Sequence, residues 1–260
     1  MTSMPATSGH SAACCNIPPI VTTGYQAKGS YEDVGGFKTY ATGPADAQRG
    51  ILVIMDIFGF FEQTLQGADI LSSSASEKYR VFIPDWFEGS PADISWYPPT
   101  DDDKKQKLGA FFGKNPPTRV APLVPDYIKA ASAKYPSIKS WAILGYCWGG
   151  KVATLTTSTP DTPFAAAVSC HPAMVDPADG PKVTVPFCLL PSKDEDPEAV
   201  KAFSDSLKVQ KHVETFPDQI HGWMAARADL RDEKVAKEYR RGYEVVLKFL
   251  GNHMGGGNKL

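Results

Sequence analysis

The apolar run Trp141-Ala142-Ile143-Leu144 passes directly into Gly145-Tyr146-Cys147-Trp148-Gly149-Gly150. That order spells a strand, a sharp turn and the start of a helix, with a thiol at the apex. A backbone bent this tightly requires small residues two positions before and two positions after the apex, and Gly145 and Gly149 occupy those positions. The more familiar form of the turn carries serine, whereas a thiol ionises more readily and is the stronger nucleophile. A buried structural cysteine in a glycine-rich turn would leave the same short trace, so residues elsewhere must discriminate between the two readings.

From residue 51 onward, short and nearly all-apolar runs alternate with helical stretches. The strand candidates are Ile51 to Met55, Arg80 to Ile83, Trp141 to Leu144, Phe164 to Ser169, Pro186 to Leu190 and Val213 to Phe216. Helices are predicted over Gln63 to Lys78, Arg119 to Lys134 (interrupted by Pro122 and Pro125), Gly149 to Thr157, Glu198 to Val209 and 230 to 250. In the last of these, Val235, Tyr239, Tyr243, Val246, Leu247 and Leu250 recur at helical spacing, which marks core packing. Apolar strands between helices are the signature of a parallel sheet covered on both faces, so the fold class is α/β. Ahead of it, Tyr31 to Val34 and Phe37 to Tyr40 flank Gly35-Gly36 as a hairpin. Residues 1–20 read as an extended N-terminal arm, 21–260 as one domain, and Gly255-Gly256-Gly257 as a frayed tail.

With 42% hydrophobic and 22% charged residues and a formal net charge of -2, the chain has no basic excess to attract nucleic acid, and small molecules are the expected partners. Its longest aliphatic run, Ile51 to Met55, is too short to cross a bilayer, and the N-terminus lacks the pattern of a signal peptide. The five cysteines, Cys14, Cys15, Cys147, Cys170 and Cys188, are irregularly spaced, unlike a secreted disulfide framework. A cytoplasmic protein with reduced thiols is expected; the terminal Asn258-Lys259-Leu260, one residue from Ser-Lys-Leu, keeps the peroxisome as an alternative. The histidines and cysteines do not show zinc-site spacing, so no metal is expected.

In an open α/β sheet, ligands bind beyond the carboxyl ends of the strands, where loop residues can converge. Cys147, Asp194 and His221 each come after a predicted strand and appear in that order, which is the order of an α/β-hydrolase triad. His221 is the expected base, with His171 its rival. Asp194 is preferred as the acid that orients it, leaving Glu195 and Asp196 to a solvated acidic turn. The backbone N–H groups of Trp148 and Ile57 are the expected oxyanion hole.

Together, Asp56-Ile57-Phe58-Gly59, Pro84-Asp85-Trp86-Phe87, Gly145 to Gly150, Lys193-Asp194 and His221-Gly222-Trp223 resemble the dienelactone hydrolase (carboxymethylenebutenolidase) family, in its fungal and animal branch. The resemblance spans roughly residues 30 to 250. It implies an α/β-hydrolase fold, hydrolysis of esters or lactones through a thioester on Cys147, no cofactor, and a monomer or homodimer. It also implies a thiol-modulating role for Asp56, where bacterial members carry a glutamate; the alternative is that Asp56 caps a loop. Two arginines that hold the substrate carboxylate in bacterial members are missing: the first region reads Asp85-Trp86-Phe87-Glu88-Gly89, and the second position is Ala225. Arg227 lies close to the second, and Trp86, Phe87, Trp96, Tyr97, Trp148 and Trp223 offer an aromatic lining, which favours a less polar substrate. A noncatalytic binding protein and a thiol redox protein are the competing readings.

Overall fold

The computed structural model describes residues 21–73 and 78–254; the arm, Cys14, Cys15, the glycine tail and Asn258-Lys259-Leu260 lie outside the described residues. The chain begins with strands β1 (Ser30–Val34) and β2 (Phe37–Thr42). Val34 pairs with Phe37 across a two-residue turn in which Gly35 and Gly36 have φ of 62° and 84°. That left-handed pair is the turn geometry that matches the twist of a hairpin, and it explains the two glycines.

Strands β3 (Arg49–Ile54), β4 (Tyr79–Pro84), β5 (Ser140–Tyr146), β6 (Phe164–Cys170), β7 (Phe187–Leu190) and β8 (Lys211–Val213) complete an eight-stranded sheet ordered β1-β2-β4-β3-β5-β6-β7-β8. β2 runs antiparallel to β4, and every pair from β4 to β8 is parallel. This is the sheet of an α/β hydrolase. The central strands are buried along nearly their whole length, as expected of strands covered on both faces. β8 shares only Val213 with the predicted run Val213 to Phe216, because the chain leaves the edge there and Phe216 returns only as a single bridge to Ser192. Phe216 is instead held by Trp223, with ring centroids 4.2 Å apart.

Helix α1 is described over Glu62–Ser73, and residues 74–77 of its predicted stretch lie outside the described residues. Helix α2 (Asp102–Lys114) is absent from the predicted elements: its buried residues are Leu108 and Phe111, too sparse for a visible stripe, and it is started by the Asp101 carboxylate, which accepts the Lys104 N–H. Prolines divide the next stretch into α3 (Pro117–Val120), a 3-10 turn (Ala121–Leu123) and α4 (Val124–Lys134). Helices α5 (Trp148–Thr156), α6 (Pro197–Ser206) and α7 (Glu233–Met254) agree with the periodicity.

α5 and α7 lie on opposite faces of the sheet. Gly145 faces α5, while its neighbour Tyr146 points the other way, its hydroxyl bonded to that of Tyr243 on α7 at 2.6 Å. A Cβ on Gly145 would lie 2.1 Å from the Gly149 carbonyl oxygen, and one on Gly149 would lie 2.3 Å from that of Ile54. Backbone therefore packs on backbone beneath the Cys147 turn. Because neither contact has a flexible side chain to give way, Gly149→Ala is expected to lower unfolding stability by about 1–3 kcal/mol, read as a fall in the denaturant midpoint at unchanged slope.

Candidate active site

Cys147 sits between β5 and α5 with φ 54° and ψ -115°, a conformation that costs a non-glycine residue on the order of 1–3 kcal/mol. The surroundings hold it there: its N–H donates to the Cys170 carbonyl at 3.1 Å, and its carbonyl accepts the N–H groups of Gly150 at 3.0 Å and Ala173 at 3.1 Å. The bend lifts the thiol off the strand end and leaves the Trp148 amide in the first turn of α5, where the helix itself supplies no acceptor.

His221 arrives on the segment that follows β8. Two carboxylates from the loop after β7 meet it, and their division of labour differs from the sequence expectation. Asp194 does not touch the ring; its Oδ2 accepts the backbone N–H of His221 at 2.8 Å. The ring Nδ1 instead meets Glu195 Oε1 at 2.6 Å, while the other Glu195 oxygen accepts the Ser192 N–H. The expected Asp194–imidazole contact and the solvated Glu195 are thus corrected. The turn directs the shorter side chain to the nearby backbone and sends the longer one inward, where Glu195 is 9% exposed. Asp196 caps α6, accepting the Glu198 N–H at 3.0 Å. A bond from Lys193 N–H to the Gln219 carbonyl at 3.0 Å ties the acid loop to the histidine loop.

With Nδ1 on Glu195, the imidazole lines the same cavity as Cys147. Burial disfavours charge on the ring, but attraction to Cys147 together with the hydrogen bond to Glu195 outweighs it and raises the pKa to about 10. Asp56, 1% exposed, moves up to about 6, chiefly by burial and against the lowering effect of the Phe58 and Ala226 N–H groups, which its two oxygens accept at 2.9 and 3.2 Å. The nearby charges of His221 and Arg227 also favour its ionised form. Asp56 thus braces the loop that carries Ile57 against the segment beyond His221.

Cys147, His221, Asp194 and Arg227 open onto one cavity of about 270 Å³, walled by Ile57, Phe58, Tyr97, Leu108 and Phe112. Of the expected lining residues, Tyr97 and Arg227 are there, the guanidinium 4.3 Å from the Tyr97 ring centroid. Trp86, Phe87 and Trp223 are not: Trp86 packs on Phe37 and Tyr127, Phe87 on Phe111 and Trp148, and Trp223 on Phe216. These rings serve as core because each is packed against other buried rings. Phe58, Leu108 and Phe112 take their place; Phe58 stood in the sequence beside Ile57, while the other two belong to the helix that lacked a stripe.

Among the described residues, Cys147, Cys170 and Cys188 are free, and burial pushes the Cys170 and Cys188 thiols up, away from redox reactivity. Among the described residues, no group of three or more His, Cys, Asp or Glu side chains could hold a metal ion, and no helix is long and apolar enough to cross a membrane.

The sequence model of the dienelactone hydrolase family matches residues 37–254. An uncharacterized AIM2 family protein of Schizosaccharomyces pombe is 35% identical over 253 residues, covering 94% of this chain and all of that protein. The carboxymethylenebutenolidase homolog of Homo sapiens is 28% identical over 246 residues, covering 88% and 93% of the two chains. In fold, the crystal structure of a putative dienelactone hydrolase from Klebsiella pneumoniae superposes with a TM-score of 0.60 at 17% identity, covering 80% of this chain and 92% of the other.

His221 is expected to titrate near pH 10 by imidazole NMR, and to move down in Cys147→Ala and in Glu195→Gln. Because the folded value lies above the unfolded one, its stabilising contribution is fully present below about pH 6.5 and is lost as pH rises through about 10.

Proposed function

This chain belongs to the dienelactone hydrolase family, and we propose that it hydrolyses carboxylic esters or lactones with Cys147 as nucleophile, His221 as acid and base, and Glu195 as the group that orients His221. The observation that carries this reading is the linked Cys147–His221–Glu195 arrangement at the wall of the 270 Å³ cavity. The Cys147 sulfur, as thiolate beside the imidazolium, bonds to the carbonyl carbon. The N–H groups of Trp148 and Ile57 receive the oxyanion, and His221 Nε2–H protonates the departing alkoxide as the C–O bond breaks. Water then enters, gives its proton to Nε2 and attacks the thioester; the sulfur leaves and the acid is released. Esters and lactones outrank peptides because an amine leaves less readily.

Asp194 serves this site by holding the His221 backbone. Asp56 acts on the thiol indirectly: its carboxylate favours the charged imidazole, which favours thiolate. Apolar walls around the nucleophile suit an aryl or branched acyl group. Among the described residues no carboxylate lies at ion-pair distance from Arg227, so its guanidinium is placed to take an anionic group of the substrate.

Cys147→Ala is expected to abolish p-nitrophenyl ester hydrolysis, and retention of the wild-type rate would sink this assignment. Glu195→Gln should lower kcat on the order of 100-fold or more, and Asp194→Asn only about tenfold, the ranking that follows from which carboxylate meets the ring. For specificity, Arg227→Gln should raise KM several-fold for an aryl ester bearing a carboxylate while leaving that of its neutral analogue within about twofold. Comparing the two substrates cancels any effect of the lost Arg227 hydrogen bond to the His221 carbonyl.

A further inference from the structure

His171 combines three unfavourable features that the proposed chemistry does not use. It is fully buried, neither ring nitrogen has a hydrogen-bond partner among the described residues, and its φ is 36°. A left-handed non-glycine residue and an unpaired buried polar ring each oppose folding, and they persist only where the surroundings impose them.

What imposes them is visible in the backbone. Cys170 at the end of β6 accepts the Cys147 N–H, and His171 itself donates to the Leu190 carbonyl of β7 at 2.8 Å. Its backbone is therefore clamped between the strand that carries the nucleophile and the strand that carries the acid loop. The left-handed turn at that point stacks the ring on Tyr146, with centroids 5.7 Å apart and planes at 16°. It also sets the ring edge to face with His221, at 5.2 Å and 72°. The charged or titratable groups facing it are Tyr146 of β5 and, from the segment beyond β8, His221 and Arg227. Around His221 stand Cys147, Glu195 and Asp56. Burial first, then the charges of His221 and Arg227, hold the His171 imidazole well below its ordinary range, so it stays neutral beside a charged partner.

We propose that His171 is a positioning residue whose flat ring, backed by Tyr146, keeps the His221 imidazole over Cys147 during release of the acyl group. The proposal rests on Cys147 being the nucleophile. During acylation, thiolate and imidazolium attract each other and hold the geometry. Once the sulfur is part of a thioester that attraction is gone, and Glu195 anchors one ring nitrogen while leaving the ring free to swing about that bond. The His171 ring blocks the swing. His221 is then in place when the water oxygen bonds to the carbonyl carbon and the water proton passes to Nε2. Breakage of the C–S bond returns the electron pair to sulfur and leaves carboxylic acid, thiolate and imidazolium.

Two variants of the full chain separate ring shape from ring nitrogen: His171→Phe keeps a flat ring, and His171→Leu fills the space without one. With p-nitrophenyl acetate, the first burst of p-nitrophenol reports acylation, and decay of the acetylated protein mass after dilution reports deacylation. His171→Leu should acylate within threefold of wild type but deacylate at least tenfold more slowly, so that acetyl-Cys147 accumulates; His171→Phe should match wild type within threefold in both steps. If His171→Leu is not recovered folded by circular dichroism, His171→Gln carries the same expectation. Unchanged deacylation in the non-aromatic variant, a parallel fall of both steps, or a deacylation defect in His171→Phe would each overturn the proposal. Failure of the underlying nucleophile reading looks different: wild type forms no acetyl-protein, and Cys147→Ala keeps the full rate.

Discussion

The approach of α5 to the sheet at Gly145 and Gly149 is the constraint on which the rest of the structure depends. With carbonyl oxygens 2.1 and 2.3 Å from where side-chain carbons would begin, the helix can start directly above the strand end only because no side chain intervenes. That contact forces Cys147 into its left-handed conformation and leaves the Trp148 amide without a helical acceptor. Strain at the apex and potential chemistry thus have one cause.

Around this point the protein assembles charge in a mostly apolar setting. Asp56 and His221 both titrate above their ordinary values, for opposite reasons. Burial opposes the Asp56 charge and prevails, raising it to about 6; burial also opposes the His221 charge, but Cys147 and Glu195 overcome it and raise it to about 10. Backbone amides that occupy both Asp56 oxygens make the carboxylate a brace between the Ile57 loop and the segment beyond His221.

The acid and histidine loops behave as one piece. Phe216 N–H reaches the Pro191 carbonyl, Lys193 N–H reaches that of Gln219, and Asp194 fastens the backbone of His221. With the backbone so fixed, the ring needs only Glu195 at one nitrogen and the packed ring of His171 at its side. Adjacent acidic residues in this turn perform separate tasks, because consecutive side chains leave a tight turn in different directions.

The order of strands and helices, the parallel sheet and the tight turn at Cys147 were legible in the amino-acid sequence, because short apolar runs, glycine spacing and helical stripes are local signals. Helix α2 was not, since Leu108 and Phe111 alone make no stripe, and the cavity wall built from Leu108 and Phe112 was hidden with it. Trp86, Phe87 and Trp223 read equally well as pocket or core, and only packing against Phe37, Phe111 and Phe216 put them in the core. Likewise, a sequence containing Asp194-Glu195-Asp196 names three candidate partners for His221. The choice of Glu195 depends on the direction in which each side chain leaves a turn, and that direction is set by hydrogen bonds between residues far apart along the chain.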